Sequence, residues 1–131
     1  MLHPSYSISW YQTKNGDEVI GAISEDPDWT MFTKNEVTKR AYRDRLAESQ
    51  TLVCYQGAVF CGYLRALLDE GFALYISELF VCPIHRNKGI GEQLIKRIKE
   101  HFPNITVYAL SDEDLFYDKK GFNNIGSIFE I

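Results

Sequence analysis

Residues 78–91 read ELFVCPIHRNKGIG, and they join an apolar run to an amphipathic segment through a loop that contains two glycines. The run that enters this loop, Ala73–Val81, is rich in aromatic and β-branched residues, which is typical of a strand. After the loop, apolar residues recur at spacings of three and four, which predicts a helix from about Gly89 to Phe102 with one buried stripe. That stripe consists of Ile90, Leu94, Ile95, Ile98 and Phe102.

The start of this predicted helix has the chemistry of a phosphate-binding site. The first N–H groups of a helix lack internal partners and lie at the positive end of its dipole. Gly89 and Gly91 lack the β-carbons that would hold a ligand away from the backbone, and Arg86 and Lys88 add positive charge. The loop differs from a nucleotide P-loop, because the lysine precedes the glycine, and from a dinucleotide fingerprint, because Leu94 replaces the third glycine.

The segments on either side predict a mixed α/β sheet with helices on both faces. The dipeptides Gln56-Gly57 and Glu70-Gly71 separate three apolar runs, which predicts an antiparallel meander. A helical crossover leads from the third run to Thr106–Leu110, so we expect those two strands to pair in parallel. The predicted strands are Ser7–Tyr11, Thr51–Tyr55, Ala58–Asp69, Ala73–Val81, Thr106–Leu110 and Asn124–Ile131.

Three further helices are predicted from capping and termination signals. Asp17 is expected to cap a short apolar helix, and the Thr33 and Glu36 pair has the spacing of a capping box for a surface helix that ends near residue 47. A last helix is expected to end near Lys120, where Gly121 suits the left-handed position just after a helix.

Length and composition limit the class of protein. A chain of 131 residues predicts one domain, residues 1–131, with an ordinary globular composition. A formal charge of −4 argues against binding nucleic acid or anionic membranes through bulk charge. The chain has neither the run of about 18 apolar residues that spans a membrane nor the pattern of a signal peptide, so we expect a cytoplasmic protein.

The three cysteines, Cys54, Cys61 and Cys82, lie far apart among apolar residues. We expect buried free thiols, since their spacings are too wide for the paired ligands of a zinc site. No metal site is predicted. Cys82 has only His85 nearby as an activating base, so it is not favoured as a nucleophile.

Two motifs together resemble a known family. The pattern Arg86-x-x-Gly89-x-Gly91 between a strand and a helix resembles the pyrophosphate motif of the GNAT superfamily of acetyl-CoA-dependent N-acetyltransferases. The later sequence LFYDKKGF, residues 115–122, resembles that family's ending, in which a tyrosine precedes Gly-Phe. One helix and one strand separate the two motifs, as in the family.

The resemblance implies a fold and a cofactor site. The fold is a mixed, mostly antiparallel sheet of about six or seven strands that splays between the fourth and fifth. The implied cofactor is acetyl-CoA, whose pantetheine arm binds the fourth strand at Leu79, Phe80 and Val81. Its pyrophosphate is expected at Arg86, Asn87, Lys88, Gly89, Ile90 and Gly91.

The implied reaction is direct attack of an amine on the thioester in a ternary complex. Tyr117 is the implied acid toward the CoA sulfur, and Glu78 is the candidate base that takes the proton of the amine. A backbone N–H on the strand is expected to stabilise the oxyanion, a contribution of roughly 3–4 kcal/mol.

The acceptor is expected to be a small primary amine bound by aromatic residues, for which Trp29, Phe32 and Tyr75 are candidates. An amino group of a protein is an alternative acceptor. A non-catalytic domain that binds acyl-CoA, or an interaction module without a ligand, would be a different class of function. Small members of the family often form homodimers, so a homodimer is also consistent with the resemblance.

Overall fold

Five strands form one mixed sheet in the order β1-β2-β3-β4-β5 in the computed structural model, which describes residues 2–131. Neighbouring strands are antiparallel except for β4 and β5, which are parallel, as the helical crossover predicts. The strands are β1 Tyr6–Trp10, β2 Gln50–Gln56, β3 Val59–Asp69, β4 Ala73–Val81 and β5 Thr106–Ala109. The helices are α1 Gly16–Ser24, α2 Glu36–Glu48, α3 Ile90–His101 and α4 Asp114–Lys119.

The parallel pair separates halfway along β4, which confirms the expected splay. Pairing joins Ala73–Ile76 to Thr106–Ala109, and it closes with a 2.9 Å bond from the N–H of Leu110 to the carbonyl of Ile76. Beyond Ile76, β4 continues to Val81 and, within residues 2–131, pairs with β3 alone. One backbone edge of β4 is therefore open over its second half.

A β-bulge at Ser77 reverses the side-chain alternation of β4. Ala66 of β3 lies opposite Ile76, whereas the preceding residue of β3 lies opposite Glu78, so Ser77 is the extra residue. Ile76 packs in the core beside α3, but Glu78 faces α2 on the other side of the sheet. Without the bulge, Glu78 would point toward α3, because residues two apart share a face.

Helices cover both faces of the sheet, as predicted. On one face, α3 buries its predicted stripe against β2, β3 and β4. On the other face, α1 and α2 bury a second cluster; its helical members are Val19, Ile20, Ile23, Tyr42 and Leu46.

The predicted last strand, Asn124–Ile131, does not form, so the described chain has five strands rather than six or seven. After α4, Gly121 takes the predicted left-handed conformation with φ of 79°. The following residues run along the far wall of a cleft of about 880 Å³ from β5. Residues 122–128 do not pair with β5, which is only four residues long, and the cleft separates them from it.

The predicted starts of α1 and α2 are each corrected by two residues. Asn35, not Thr33, caps α2: its side chain accepts a bond from the N–H of Thr38 at 2.9 Å. Thr33 instead ends a short 3-10 segment, Pro27–Phe32. In α1, Asp17 lies in the first turn rather than at the cap, because a 3-10 turn leads directly into the helix.

Candidate active site

The open edge of β4 presents backbone groups of Leu79 and Val81. The N–H of Cys82 bonds to the carbonyl of Cys61 on β3 at 2.8 Å. Backbone groups alternate between the two edges of a strand, so the N–H and C=O of Val81 point to the open edge, and those of Leu79 do the same. Phe80, the third residue predicted to bind the cofactor, directs its carbonyl toward β3 instead, against Gly62.

This edge leads into the uncapped start of α3. The first helical bond runs from the N–H of Gln93 to the carbonyl of Gly89 at 3.0 Å. No side chain caps the helix, so the N–H groups of Ile90, Gly91 and Glu92 have neither a helical partner nor a cap. The open edge of β4 and the start of α3 thus each present backbone groups without a strand or helix partner, and the loop of residues 82–89 joins them.

The two glycines of the motif serve different purposes. Gly89 has φ of 84°, a left-handed conformation that glycine adopts freely, and its Cα faces open space. A β-carbon on Gly91 would lie 3.2 Å from Cζ of Phe116. Gly91 therefore allows α4 to pack closely on α3. The sequence pattern suggests a different role, in which Gly91 lets a ligand approach the backbone.

Three of the predicted phosphate ligands carry side chains that reach solvent. Asn87 and Lys88 are exposed, and Asn87 itself has a positive φ of 62°. Arg86 is half-exposed and donates from Nε to the carbonyl of Val81 at 2.8 Å. The site is thus positively charged, with its arginine folded back onto the strand.

Tyr117 lies on α4 and borders the cleft beside β5. Its ring makes an edge contact with Phe116, with centroids 5.0 Å apart, and it packs against the core that contains α3. Burial, reinforced by the negative charge of Asp112, raises the pKa of Tyr117 to about 12. The hydroxyl therefore keeps its proton throughout the neutral range.

Glu78 belongs to a buried polar network between β3, β4 and α2. Its Oε1 accepts from Nε of Arg65 at 2.5 Å, and its Oε2 accepts from Nη2 at 2.9 Å. The hydroxyl of Tyr42 also donates to Oε1, and it lies 2.7 Å from the hydroxyl of Tyr63. All four side chains are buried, and burial raises the pKa of both tyrosines far above the usual value.

The hydrogen bonds that Glu78 already accepts limit what its carboxylate can do. Oε1 holds two donors, whereas Oε2 holds one and keeps one acceptor position. Because the side chain is only 4% exposed, a proton can reach it through a bound water or along the tyrosine hydroxyls, not from bulk solvent.

Two of the three aromatic residues predicted for the acceptor lie together over this network. Phe32 stacks on Tyr42 with centroids 4.3 Å apart, and Trp29 makes an edge contact with Phe80 at 5.2 Å. Tyr75 lies apart from them and stacks on Tyr108 at 5.5 Å, on the part of β4 that pairs with β5.

The cysteines are free thiols, as predicted, and Cys54 and Cys61 are fully buried. Cys82 is half-buried, and burial raises the pKa of its thiol, which opposes a thiolate nucleophile. Among residues 2–131, no group of three or more potential ligands could hold a metal ion. No helix in that range combines the length and the apolar character required to cross a bilayer.

The sequence analysis did not identify Tyr42, Tyr63 or Arg65 as site residues. Tyr63 and Arg65 are two apart on a strand and share a face, a pattern that was available from the sequence. Their convergence with Tyr42 could not be seen, because it depends on how α2 crosses the sheet and on the bulge at Ser77.

The model of the acetyltransferase (GNAT) domain matches residues 12–131. No curated protein matches the chain at the significance applied.

Solved structures share the fold at low sequence identity. An aminoglycoside N-acetyltransferase, AAC(6')-Iy, in complex with CoA has a TM-score of 0.75 and 13% identity over 100% of this chain and 95% of that one. An aminoglycoside acetyltransferase from an uncultured soil metagenomic sample, in complex with sisomicin, has a TM-score of 0.75 and 15% identity, with coverage of 96% and 95%. Glucosamine-6-phosphate N-acetyltransferase from Arabidopsis thaliana has a TM-score of 0.73 and 14% identity, with coverage of 96% and 97%.

Proposed function

Because the chain belongs to the GNAT acetyltransferase family, we propose that it transfers an acetyl group from acetyl-CoA to a primary amine of a small molecule. One observation carries this proposal: the open edge of β4 at Leu79 and Val81 continues into the uncapped start of α3. CoA has an arm with amide groups, which can hydrogen-bond to a strand edge, and a pyrophosphate, which can bind the N-terminus of a helix.

The residues present fit this cofactor. The N–H and C=O groups of Leu79 and Val81 would hold the amides of the arm, as an added strand would. The free N–H groups at the start of α3, with Arg86 and Lys88 beside them, would hold the pyrophosphate. When bound, the cofactor supplies an acetyl thioester; a backbone N–H at the open edge is suited to stabilise the oxyanion that forms on it.

Tyr117 is proposed to hydrogen-bond the leaving sulfur. A raised pKa of about 12 keeps its hydroxyl protonated at neutral pH, so it can donate to sulfur as negative charge develops there. A neutral amine loses one proton as it attacks and the departing thiolate gains one, so the transfer balances without a net proton source.

Glu78 is proposed to receive that proton from the amine. The free acceptor position on Oε2 can take the proton from a water molecule. A second route leads through the hydroxyls of Tyr63 and Tyr42 to Oε1, to which Tyr42 donates. Arg65 holds the carboxylate in a fixed orientation. A carboxylate that is already positioned needs no side-chain movement before it accepts the proton.

A small amine is favoured as the acceptor because Trp29 and Phe32 contact each other and Phe32 stacks on Tyr42, which donates to Glu78. Solved structures of the same fold include aminoglycoside and glucosamine-6-phosphate N-acetyltransferases, and this supports an amino sugar as the first class of acceptor to test.

The three hydrogen bonds that Glu78 already accepts favour one second candidate, a domain that binds acyl-CoA without turnover. In that case Arg65 and Tyr42 would hold a structural carboxylate, and Leu79, Val81 and the start of α3 would keep their role.

The experiment is CoA binding by calorimetry, followed by thiol release from acetyl-CoA with sisomicin, glucosamine 6-phosphate and spermidine. We expect CoA binding and amine-dependent release. Tyr117→Phe should lower kcat by about one to two orders of magnitude with little change in CoA affinity, within the range of acid catalysis. Tyr108→Phe, which removes a tyrosine hydroxyl from neighbouring β5, is the matched control.

The outcomes separate the candidates. CoA binding without turnover on a broad amine panel would favour the binding domain. Absence of CoA binding would reject both, and turnover that is unchanged in Tyr117→Phe would remove this residue from the mechanism.

A further inference from the structure

Within the loop of residues 82–89, which joins β4 to α3, His85 alone is buried. Its side chain is 8% exposed, whereas the apolar side chain of the preceding residue, Ile84, is 81% exposed. Apolar side chains are normally the ones that a protein buries. This inversion indicates that His85 is buried for a polar contact rather than for its apolar surface.

That contact leads to β1. Nδ1 of His85 lies 3.0 Å from the hydroxyl oxygen of Tyr6, within hydrogen-bond distance, and the two rings meet edge to face with centroids 5.8 Å apart. In residues 2–131, the other hydrogen bonds of the loop run to β3, β4, α3 or the loop itself. His85 is therefore the residue that connects the loop to the first strand, 79 positions earlier in the sequence.

The second ring nitrogen of His85 supports this interpretation. Nε2 is buried and has no hydrogen-bond partner among the described residues. A buried polar atom without a partner is destabilising. A histidine at this position is therefore of use to the protein through its other nitrogen, Nδ1, which contacts Tyr6.

The bond to His85 is the first of three contacts between β1 and the unit of loop and α3. The carbonyl of Ile8 accepts from Nη1 of Arg97 in α3 at 3.1 Å, and the ring of Trp10 lies 4.6 Å from the ring of His101, the last residue of α3. β1 itself is fixed by antiparallel pairing with β2 along its whole length. It also precedes residues 12–131, which match the GNAT model, so this support comes from outside the matched region.

We infer that Tyr6 and His85 are a positioning pair for the cofactor site, because their bond sets the place from which residues 86–91 meet the pyrophosphate. This inference rests on the proposed function, and it adds β1 to the elements that serve the cofactor. After His85 the loop is exposed and passes through two residues with positive φ, Asn87 and Gly89. The histidine is thus the last buried residue before α3, and a loop that is held there loses less freedom when it binds a ligand.

The first test compares the CoA affinity of Tyr6→Phe with that of Tyr55→Phe by calorimetry. Both variants keep an aromatic ring and lose a bonded hydroxyl, but the hydroxyl of Tyr55 donates to Glu18 of α1 on the other face of the sheet. Urea unfolding reports the loss of stability that either missing bond causes. We expect only Tyr6→Phe to weaken CoA binding, by about three- to tenfold, which is the free energy of one hydrogen bond expressed as affinity.

Turnover separates positioning from a merely structural role. Tyr6→Phe should raise KM for acetyl-CoA by the same factor and leave kcat and the KM of the amine unchanged. A structural role alone would lower the free energy of unfolding without this selective change.

The second test uses the two nitrogens of the imidazole. The amide of asparagine can take the place of Nδ1, and the longer glutamine places its amide near the position of Nε2. His85→Asn should therefore keep the bond to Tyr6 and the CoA affinity of the unaltered protein, whereas His85→Gln should bind CoA about three- to tenfold more weakly. In the Tyr6→Phe background the two variants should have equal affinities, because the shared bond is already gone.

Failure of this inference can be told apart from failure of the proposed function. If the unaltered protein does not bind CoA, the proposed function fails. If it binds CoA but Tyr6→Phe and Tyr55→Phe have equal affinities, or His85→Asn and His85→Gln do, the positioning role of Tyr6 and His85 is overturned while the cofactor site stands.

Discussion

Arg65 and Glu78 lie opposite each other on β3 and β4 and form a buried ion pair with two hydrogen bonds at the residue where the register of the strands shifts. The pair therefore lies beside the bulge at Ser77. Past the bulge, the side chains of Leu79 and Val81 pack on the α3 side of the sheet and the pairing of β4 with β5 has ended at Ile76, so this charged contact adjoins the start of the open edge.

Arg65→Met is expected to destabilise the protein by about 3–5 kcal/mol, because it leaves Glu78 buried without its counter-charge. Urea unfolding at neutral pH measures the change. Arg45→Met is the control: Arg45 pairs with Glu48 on the surface of α2, where the side chains are 57% and 64% exposed, so the loss should stay below about 1 kcal/mol. Equal losses in the two variants would show that the buried pair does not fix the strands.

Gly62→Ala is expected to destabilise the protein by about 1–3 kcal/mol through overpacking. A β-carbon there would lie 2.6 Å from the carbonyl oxygen of Phe80 and 3.2 Å from Cα of Val81, and these backbone atoms cannot move without shifting β4. Gly21→Ala is the matched control in open space on α1, and it should stabilise by about 0.5–1 kcal/mol. Thermal unfolding of both variants decides the matter, and a Gly62→Ala protein as stable as the parent would refute the close contact.

The sequence predicts the elements well where periodicity is strong. The stripe of α3, the turns at Gly57 and Gly71 and the parallel return to β5 all form as expected. It fails at Asn124–Ile131, because apolar residues show that a segment could be a strand but not whether a sheet edge is available to pair with it. It also misplaces the start of α2, since Thr33 and Asn35 are both good capping residues and tertiary contacts choose between them.

The candidate site is predictable only in part. The loop of residues 86–91, which is proposed to bind phosphate, follows from local residue types, and it leads into α3 as predicted. The surroundings of Glu78 depend on a one-residue bulge and on contacts from α2, which no local pattern encodes. Gly91 packs closely on Phe116, which is distant in the sequence. In the sequence alone, Gly91 looks like a glycine of the ligand-binding loop, so this contact could not be predicted.

Gly89→Glu should weaken CoA binding at least about tenfold, because it places a negative charge at the positive start of α3, where the pyrophosphate is proposed to lie. Gly71→Glu is a close control, since Gly71 has φ of 83° against 84° for Gly89 and both face open space. The two variants therefore carry the same backbone strain and the same charge. Calorimetric titration with CoA compares them, and equal affinities would place the pyrophosphate elsewhere.

Cys82→Ala is expected to retain nearly full turnover. Burial raises the pKa of the Cys82 thiol, so little thiolate is present at neutral pH, and the proposed direct attack needs no protein nucleophile. Steady-state rates and mass spectrometry after incubation with acetyl-CoA test this. An acetylated cysteine in the parent, together with inactivity of the variant, would replace direct transfer by a covalent route.

Alkaline pH should destabilise the protein earlier than an average domain, because several buried groups hold their protons. Burial raises the pKa of Cys54, Tyr55 and Tyr117 to about 12 each, and it raises that of Tyr63 further. In the unfolded chain these groups ionise near pH 8.5 for the thiol and about 10 for the phenols. Below those values the stabilisation is complete, and it is lost as pH rises from about 9 toward 12, because the unfolded state then releases protons that the folded state keeps. Urea unfolding at pH 8, 9.5 and 11 should give a falling free energy, and the slope should be shallower in Tyr63→Phe. A free energy that stays level to pH 11 would mean that these hydroxyls and thiols are not shielded from solvent as the structure shows.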